Sequence, residues 1–320
     1  MNRLGLLIRS ILYIKICYEV GINPKDLTVL TPHYYTSASK PAKKMDLVTA
    51  IRIFVYSLFT MTVLLSPLAM CHEAEDNGEY NYDPFSKNGP FHWGEIRSEW
   101  YLCKNGSMQS PINLQESIAN KVNNSGLQRS YRPSNATLRN SGHDIMIDWS
   151  GDAGHILING TRYMLEQCHW HSPSEHTING RRYDLEIHFV HISSEGLIAV
   201  IGVLYKIGKE DPFLLSIKDD LKYIGENKDE ERSIGIVDPE EITRISSNST
   251  YFRYNGSLTT PPCDENVLWT VYTEVKTVTW KQIKLLRVAV RDKTYTNARP
   301  LQPRNGRPVT LYKPTDHEEN

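Results

Sequence analysis

The sequence lacks the features that would assign it at once to several common classes of protein. Its 36 basic and 37 acidic residues leave a formal net charge of −1, and no basic block offers a nucleic acid a surface to bind. It has no internal repeat, no low-complexity tract and no Gly-x-Ser-x-Gly motif of a serine hydrolase. Its 320 residues suffice for one large domain or two modest ones.

Long apolar runs are also scarce, and the clearest one lies near the N-terminus. Residues 53–65 form an apolar run that is shorter than the ~20 residues a membrane-spanning helix needs. Basic residues precede this run and small residues around 69–74 follow it, which is typical of a cleaved secretory signal. We therefore predict a signal peptide at 45–74, with an uncleaved anchor as the competing interpretation.

Residues 1–44 precede this signal, which begins at Met45. We interpret them as an upstream extension, either a mistaken start or an added targeting sequence. A secretory route permits disulfides and N-glycosylation at Asn-x-Ser/Thr triplets. Five triplets are candidate acceptors: Asn105, Asn123, Asn135, Asn159 and Asn248. A sixth, at Asn255, is disfavoured because it adjoins the Ser/Thr/Pro run at 257–262.

Residues 75–315 read as one mixed, β-dominated (α+β) domain. Short apolar and alternating runs predict a large, mainly antiparallel twisted sheet, with strands near 136–138, 144–149, 155–157, 162–171, 183–192, 197–205, 250–254 and 267–278. The Asn-Gly pairs at 159–160 and 179–180 predict two-residue hairpin turns. Short peripheral helices are predicted at 211–224 and 280–288, and the acidic tail 316–320 is expected to be disordered.

Two of the predicted strands carry a pattern of histidines. Side chains alternate between the two faces of a strand, so Gln167, His169 and His171 share one face. Glu186 and His188 share a face of the second strand by the same rule. If the two strands are neighbours, three imidazoles converge. Three nitrogens that leave one position open are the ligand set of a catalytic zinc ion.

The same alternation predicts on which face of its strand each neighbour of these histidines lies. A metal-bound imidazole needs an acceptor for its second ring N–H, and Gln167 and Glu186 lie on the correct face to supply one. Cys168 and His191 point to the opposite face, which removes both from the ligand set. We interpret Cys168 as a buried, inert thiol.

A series of ordered motifs then identifies a family. In chain order they are Asn-Gly-Pro at 88–90, His-Trp at 92–93, Gln-Ser-Pro-Ile-Asn at 109–113, Asn-Ser-Gly-His at 140–143, Gln-Cys-His-Trp-His-Ser-Pro-Ser-Glu-His at 167–176, Glu-Ile-His at 186–188, Gly-Ser-Leu-Thr-Thr-Pro-Pro at 256–262 and Asn-Ala-Arg-Pro at 297–300. With them the chain resembles an α-class carbonic anhydrase, most closely the secreted plant branch. The resemblance runs from about residue 82 to 312.

This resemblance implies the reversible hydration of carbon dioxide to bicarbonate and a proton by attack of a zinc hydroxide. One Zn²⁺ per chain would be bound by His169, His171 and His188, with Gln167 and Glu186 holding the rings. Thr259 would accept a hydrogen bond from the hydroxide and donate its own proton to Glu175. A hydroxyl can accept and donate at once, whereas a carboxylate only accepts.

The resemblance also implies a proton path and a substrate pocket. His143 matches the family's proton shuttle, and we expect a partly exposed ring, because histidine exchanges protons near neutral pH. Carbon dioxide is uncharged and forms weak hydrogen bonds, so its pocket should be apolar. The matching wall positions are Val190, Val200, Leu258 and Trp269, with Thr260 contacting substrate or water nearby. Val190 also lies on the ligand face by alternation.

Finally, the resemblance pairs Cys103 with Cys263, as in extracellular members of the family. The predicted signal peptide implies a secretory destination, either the extracellular space or apoplast, or a plastid reached through the secretory route. The expected partners are carbon dioxide and bicarbonate, with no nucleic acid and no stable membrane anchor, and both a monomer and a homodimer stay open. The alternative function is a catalytically silent binding or storage protein. Relatives of that kind typically lack a ligand histidine, whereas this sequence has all three.

Overall fold

The computed structural model describes residues 79–313 apart from 124–125, 228–230, 247 and 291–295. The upstream extension at 1–44, the signal peptide at 45–74 and the acidic tail at 316–320 lie outside the described residues and stay predictions. Across the described ranges, no helix combines the length and the apolar character needed to cross a membrane.

Strands supply most of the regular structure in the described part of the chain. They are β1 (Asn113–Leu114), β2 (Asn120–Asn123), β3 (Leu127–Tyr131), β4 (Ser134–Asn140), β5 (Ile145–Ser150), β6 (Gly154–Ile158), β7 (Thr161–His171), β8 (Thr177–Ile178), β9 (Arg181–Arg182), β10 (Leu185–Ser193), β11 (Ile198–Ile207), β12 (Glu231–Val237), β13 (Tyr251–Ser257), β14 (Glu265–Val278) and β15 (Thr310–Lys313). The helices are short: α1 (Trp93–Ile96), a 3-10 turn (Ser98–Trp100), α2 (Leu102–Asn105), α3 (Pro212–Ser216), α4 (Lys218–Glu226), α5 (Pro239–Thr243) and α6 (Trp280–Val290).

One sheet of twelve strands organises the domain. Its main path runs β12-β4-β5-β7-β10-β11-β14-β13-β15-β2, and β6 joins β3 to β7 beside that path. Most neighbours are antiparallel, but β11 pairs with β14, and β15 with β2, in parallel. The strands β1, β8 and β9 form a separate small sheet. The predicted β-dominated fold with a large, mainly antiparallel sheet and short helices is therefore confirmed.

Both predicted two-residue hairpin turns are present. Asn159 and Gly160 have φ values of 50° and 83° between β6 and β7, and Asn179 and Gly180 have 50° and 81° between β8 and β9. Positive φ at both central positions is the conformation that favours Asn-Gly. The first of these turns sets the start of β7, the strand that ends in two of the histidines.

The single helix predicted at 211–224 is wrong, because two helices occupy this stretch. Asp211 caps α3 by accepting a hydrogen bond from the Leu214 N–H. The helix ends at Ser216, and the next residue, Ile217, has a φ of −95° and a ψ of 12°. Leu221 of α4 packs into the same apolar cluster as Leu214. The apolar spacing thus continues across the break, and the sequence pattern could not reveal it.

The large sheet carries a different apolar cluster on each face. Cys168 and Phe189 belong to a cluster that includes residues of α3, α4 and α6, on what we call the helix face. Val190 and Trp269 belong to a second cluster on the opposite face, the histidine face. Cys168 is fully buried with a free thiol, and burial raises its pKa well above the usual value.

Candidate metal centre

The pairing of β7 with β10 brings the three predicted histidines together. His169 lies directly across from His188, and Glu186 lies across from His171. The three rings are at most 1% exposed, and one nitrogen from each lies within 4.8 Å of the others. Adjacent antiparallel strands point opposed side chains to the same face. The convergence expected from alternation is thus what the backbone register produces.

Two of the rings are held through Nδ1. His169 Nδ1 donates to Gln167 Oε1 at 2.8 Å, as the sequence pattern suggested. His171 Nδ1 donates to the main-chain carbonyl of Asn297 at 2.7 Å. In both rings the other nitrogen, Nε2, is left to face the centre. The Asn297 contact was missed, because a backbone carbonyl carries no side-chain signal and lies 126 residues further along the chain.

The third ring is held through Nε2 by a buried carboxylate. Glu186 Oε1 accepts from His188 Nε2 at 2.9 Å and from His176 Nδ1 at 2.7 Å. Its Oε2 accepts the main-chain N–H groups of Glu175 and His176, both at 2.8 Å. Burial alone would raise the pKa of Glu186, but the attraction and hydrogen bonds of His176 and His188 outweigh it and hold the pKa well below its usual range.

His176 therefore donates a hydrogen bond to Glu186, and we do not count it among the candidate metal ligands. Its second nitrogen, Nε2, contacts Tyr254 Oη at 2.7 Å. Glu186 has both oxygens engaged by N–H donors, so the alternative grouping of His176, Glu186 and His188 is a hydrogen-bonded network. Burial lowers the pKa of His188 well below its usual value despite Glu186, which keeps a lone pair on Nδ1.

The chemistry of this donor set fits a zinc ion. His171 Nε2 is buried and has no hydrogen-bond partner among the described residues, although a buried polar atom normally has one. Three imidazole nitrogens, with their outer nitrogens held by an amide, a carbonyl and a carboxylate, match the three-ligand pattern of catalytic zinc. The residues present can thus hold such an ion.

Glu175 lies beside the histidines but does not bond Thr259 in this arrangement. It is fully buried, its Oε1 accepts the Arg299 main-chain N–H at 2.7 Å, and its Oε2 has no hydrogen-bond partner within the described part of the chain. Thr259 is 1% exposed. The Thr259–Glu175 hydrogen bond therefore stays a prediction, with a carboxylate oxygen available to accept it. The Thr260 hydroxyl is likewise buried without a partner in the described ranges.

A buried arginine connects this carboxylate to α2 and the segment that follows it. Arg299 Nη1 donates to Gln109 Oε1 and the Ser110 carbonyl at 2.8 Å each, and Nη2 donates to the Cys103 carbonyl at 2.9 Å. Burial lowers the pKa of Arg299 to about 10. The residue keeps its charge at neutral pH and ties together segments far apart in sequence.

The predicted disulfide is present between Cys103 and Cys263, with Cα atoms 5.0 Å apart. Cys263 follows the run at 257–262 directly, and its main-chain N–H donates to the Thr260 carbonyl at 2.8 Å. The bond joins α2 to the loop that carries Thr259 and Thr260.

The predicted substrate-wall residues lie together on the histidine face. Val190, Val200 and Trp269 are direct neighbours across β10, β11 and β14, and Leu258 belongs to the same buried cluster. The Trp269 ring centroid lies 4.8 Å from that of His188. An apolar surface therefore adjoins the three imidazoles, and its role in substrate binding stays a prediction.

His143 is not partly exposed, and that expectation is wrong. Its exposed fraction is 4%, because the arm before α1 folds over it: the Tyr80 and Tyr82 ring centroids lie 4.0 and 5.6 Å from the imidazole. Its main-chain carbonyl accepts from Asn297 Nδ2 at 2.9 Å. The shuttle role of His143 stays a prediction, now for a ring beneath two tyrosines.

All five candidate glycosylation residues are exposed: Asn105, Asn123, Asn135, Asn159 and Asn248. Asn255 is exposed as well, so exposure does not separate it from the others. Occupancy at each stays a prediction.

Comparison with known proteins places this fold and site in a family. The sequence profile of the eukaryotic-type carbonic anhydrases matches residues 88–313. The chain belongs to this family of enzymes. Among its relatives, alpha carbonic anhydrase 7 of Arabidopsis thaliana is 51% identical over 263 residues, which cover 82% of this chain and 95% of that protein.

Two solved structures share the fold. Dioscorin complexed with ascorbate is 42% identical with a TM-score of 0.72, over 74% of this chain and 99% of that one. The α-carbonic anhydrase of Thermovibrio ammonificans, solved with the inhibitor sulfanilamide, is 36% identical with a TM-score of 0.64. The match covers 73% of this chain and 98% of that one.

Proposed function

We propose that this protein is a zinc enzyme that interconverts carbon dioxide and bicarbonate. The observation that carries the proposal is the convergence of three buried imidazole nitrogens within 4.8 Å on the face of the sheet that also carries the apolar wall. Zinc, when bound, acts as a Lewis acid that provides hydroxide near neutral pH, for which carbonic anhydrases are the standard example.

His169, His171 and His188 would hold the ion, and hydrogen bonds from the rest of the site hold these rings in their orientations. Gln167 and the Asn297 carbonyl accept the Nδ1–H groups of the first two. Glu186 accepts the Nε2–H of His188. Each acceptor leaves the lone pair of the other nitrogen directed to the centre, so no ligand has to rotate before the metal binds.

The hydroxyl of Thr259 would set the direction of attack. Its O–H would donate to Glu175 Oε2, which has no other partner within the described ranges, and the Thr259 oxygen would then act as an acceptor toward a neighbouring ligand. Such an acceptor would favour a ligand that carries a proton and would orient that ligand toward the substrate. The carboxylate itself is held by the Arg299 N–H on its other oxygen.

The wall of Val190, Val200, Leu258 and Trp269 would hold carbon dioxide. These side chains are 2–7% exposed, and such a surface accepts an uncharged molecule while giving water few hydrogen bonds. The buried Thr260 hydroxyl would contact substrate or an adjacent water. After bicarbonate leaves, His143 would carry the remaining proton away from the site.

The protein would act outside the cytosol after entering the secretory pathway. The Cys103–Cys263 disulfide supports this, since disulfides persist in oxidising compartments. Exposed asparagines in all the candidate glycosylation triplets agree with it. Mass spectrometry of the secreted product tests the proposal: we expect an N-terminus near residue 74 and glycans at one or more of these asparagines.

A catalytically silent binding protein is the second candidate, because dioscorin complexed with ascorbate has the same fold. Retention of His169, His171 and His188 together with Glu175 and Thr259 favours the enzyme.

Stopped-flow measurement of carbon dioxide hydration on secreted protein of known zinc content separates the two. We expect one zinc per chain, catalytic turnover, and loss of turnover in His171→Ala. The matched control is His92→Ala, because His92 is exposed and its ring bonds the exposed Glu95, away from the three histidines. Zinc content well below one per chain after reconstitution, or near-wild-type turnover in His171→Ala, would contradict the metal assignment. Full zinc content without turnover would favour the silent protein.

A further inference from the structure

We propose that Asn297 is a positioning residue whose side chain holds the loop of His143, the expected proton shuttle, in place beside the strand that carries His171. The inference rests on the function proposed above.

The amide side chain of Asn297 uses both of its N–H donors and accepts one hydrogen bond through its oxygen. Its Nδ2 donates to the main-chain carbonyls of His143 and Trp170, each at 2.9 Å. Its Oδ1 accepts the Ser172 main-chain N–H at 2.8 Å. The residue is 1% exposed, so no bulk water replaces these bonds if they are lost. One carboxamide thus joins two segments more than 25 residues apart in sequence.

Few other side chains provide this combination. The site requires two N–H donors for two carbonyls and one acceptor for an N–H, which is the inventory of a carboxamide. Aspartate has the same shape but sets a carboxylate oxygen against two carbonyl oxygens. Alanine leaves three buried main-chain groups without these partners. Glutamine has the required atoms but places them one carbon further out.

The geometric consequence falls on His143. Trp170 and Ser172 flank His171 in the chain. The Asn297 amide bonds the main chain of both residues and the carbonyl of His143, so it fixes the position of the His143 loop relative to His171. On its other side the imidazole packs under Tyr80. Proton transfer depends steeply on distance, and a displacement of ~1 Å can cost about 100-fold in rate.

The main-chain carbonyl of Asn297 survives any change of its side chain. It accepts His171 Nδ1–H at 2.7 Å, and the Asn297 N–H donates to the Ser172 carbonyl at 3.2 Å. Substitution should therefore leave His171 oriented. Substitution of Asn297 should therefore affect kcat and kcat/KM differently. Export of the proton takes place after bicarbonate leaves, so a slower export lowers kcat. The value of kcat/KM depends on the steps before that departure and should change little.

The experiment compares zinc-loaded Asn297→Asp and Asn297→Ala with the wild type, with His143→Ala as reference and Gln302→Ala as matched control. Gln302 carries the same amide in the same segment, and its Nε2 bonds the Pro300 carbonyl. In dilute buffer we expect kcat to fall about 10- to 100-fold in both Asn297 variants, with imidazole restoring part of it. We expect kcat/KM and zinc affinity to stay near wild type, and Gln302→Ala to match the wild type throughout.

Hydrogen exchange of residues 140–144 and of the Ser172 amide supplies a readout independent of turnover. Faster exchange in the Asn297 variants at unchanged zinc affinity supports the inference. Exchange and kcat both at wild-type level overturn it, as does a joint fall of kcat and kcat/KM with loss of zinc, which would make Asn297 a support of the metal alone. If the zinc-loaded wild type shows no turnover, the proposed function fails, and the exchange result still decides this inference.

Discussion

A Cβ atom on Gly202 would lie 2.9 Å from Glu186 Oε1, the carboxylate oxygen that receives the N–H of His188. Gly202 is the residue of β11 directly opposite His188. Glu186 cannot easily move away, because main-chain and imidazole N–H groups bond both of its oxygens. Glycine is therefore required at 202 to make room for a carboxylate.

The first prediction is that Gly202→Ala weakens zinc binding by displacing Glu186. Loss of an acceptor behind a metal-bound histidine typically costs 10- to 100-fold in affinity, so we expect a fall of about that size. Competition with a chelator measures it. Gly225→Ala is the control, because its Cβ would lie 3.0 Å from the Ala289 backbone, away from the site; it should reduce stability without changing zinc affinity. Wild-type affinity in Gly202→Ala would contradict the steric argument.

The second prediction concerns Thr259 and Glu175 as a pair. Thr259→Val keeps the shape and removes the hydroxyl, and we expect kcat/KM to fall by about 100- to 1,000-fold, as for other lost transition-state hydrogen bonds. If the hydroxyl works by donating to Glu175, then Glu175→Gln should cost much less in the Thr259→Val background than alone. Stopped-flow assays of the two single variants and the double variant measure the coupling. Additive losses would show that the two residues act independently.

The third prediction concerns the Cys103–Cys263 disulfide, which closes a loop of 160 residues. Chain-entropy models assign such a loop roughly 5 kcal/mol of stability, and measured values are often smaller. We expect the double variant Cys103→Ser/Cys263→Ser to unfold at a clearly lower denaturant concentration than the oxidised wild type. Reductant should lower the wild-type midpoint and leave that of the double variant unchanged. A wild-type midpoint that does not respond to complete reduction would contradict a stabilising role.

The fourth prediction concerns His191, which is fully buried on the helix face and contacts Tyr131 Oη at 2.7 Å. Burial lowers its pKa to about 3, against about 6.5 in an unfolded chain. Between these values the unfolded state binds more protons, so stability rises with pH and is lost as the pH falls from about 6.5 toward 3.

We therefore expect His191→Gln to flatten the pH dependence of the unfolding free energy by up to about 1.4 kcal/mol per pH unit. Denaturant titrations between pH 4 and 6.5 measure the slope. His92→Gln serves as the control, because His92 is exposed. An unchanged slope in His191→Gln would show that His191 does not titrate differently in the two states.

The parts of the site that could be predicted from the sequence depend on local patterns. A period of two places His169 and His171 on one face and removes Cys168, and the same rule applied to β10 selects His188 and excludes His191. Two Asn-Gly turns could be located because positive φ at both central positions has a compositional signature. The family resemblance then supplied the distant pair Cys103 and Cys263, which alternation does not reach.

The missed features depend on tertiary contacts or on weak local patterns. The Asn297 carbonyl orients His171 across 126 residues with a main-chain atom, which leaves no trace in residue type. Strand β12 was missed because it is an edge strand with mostly exposed side chains and therefore shows little apolar alternation. The expectation that the His143 ring is partly exposed is wrong because Tyr80, from the segment before α1, covers the ring.

The dependence of His171 and Glu175 on residues 297 and 299 imposes an order on biosynthesis. The ribosome makes all three candidate ligands long before it makes the carbonyl and the N–H that orient this part of the site. At 5–20 residues per second, the 126 residues between His171 and Asn297 take roughly 6 to 25 s to translate. During that interval His171 lacks the carbonyl that accepts its Nδ1–H, so a set of three oriented imidazoles requires the finished polypeptide.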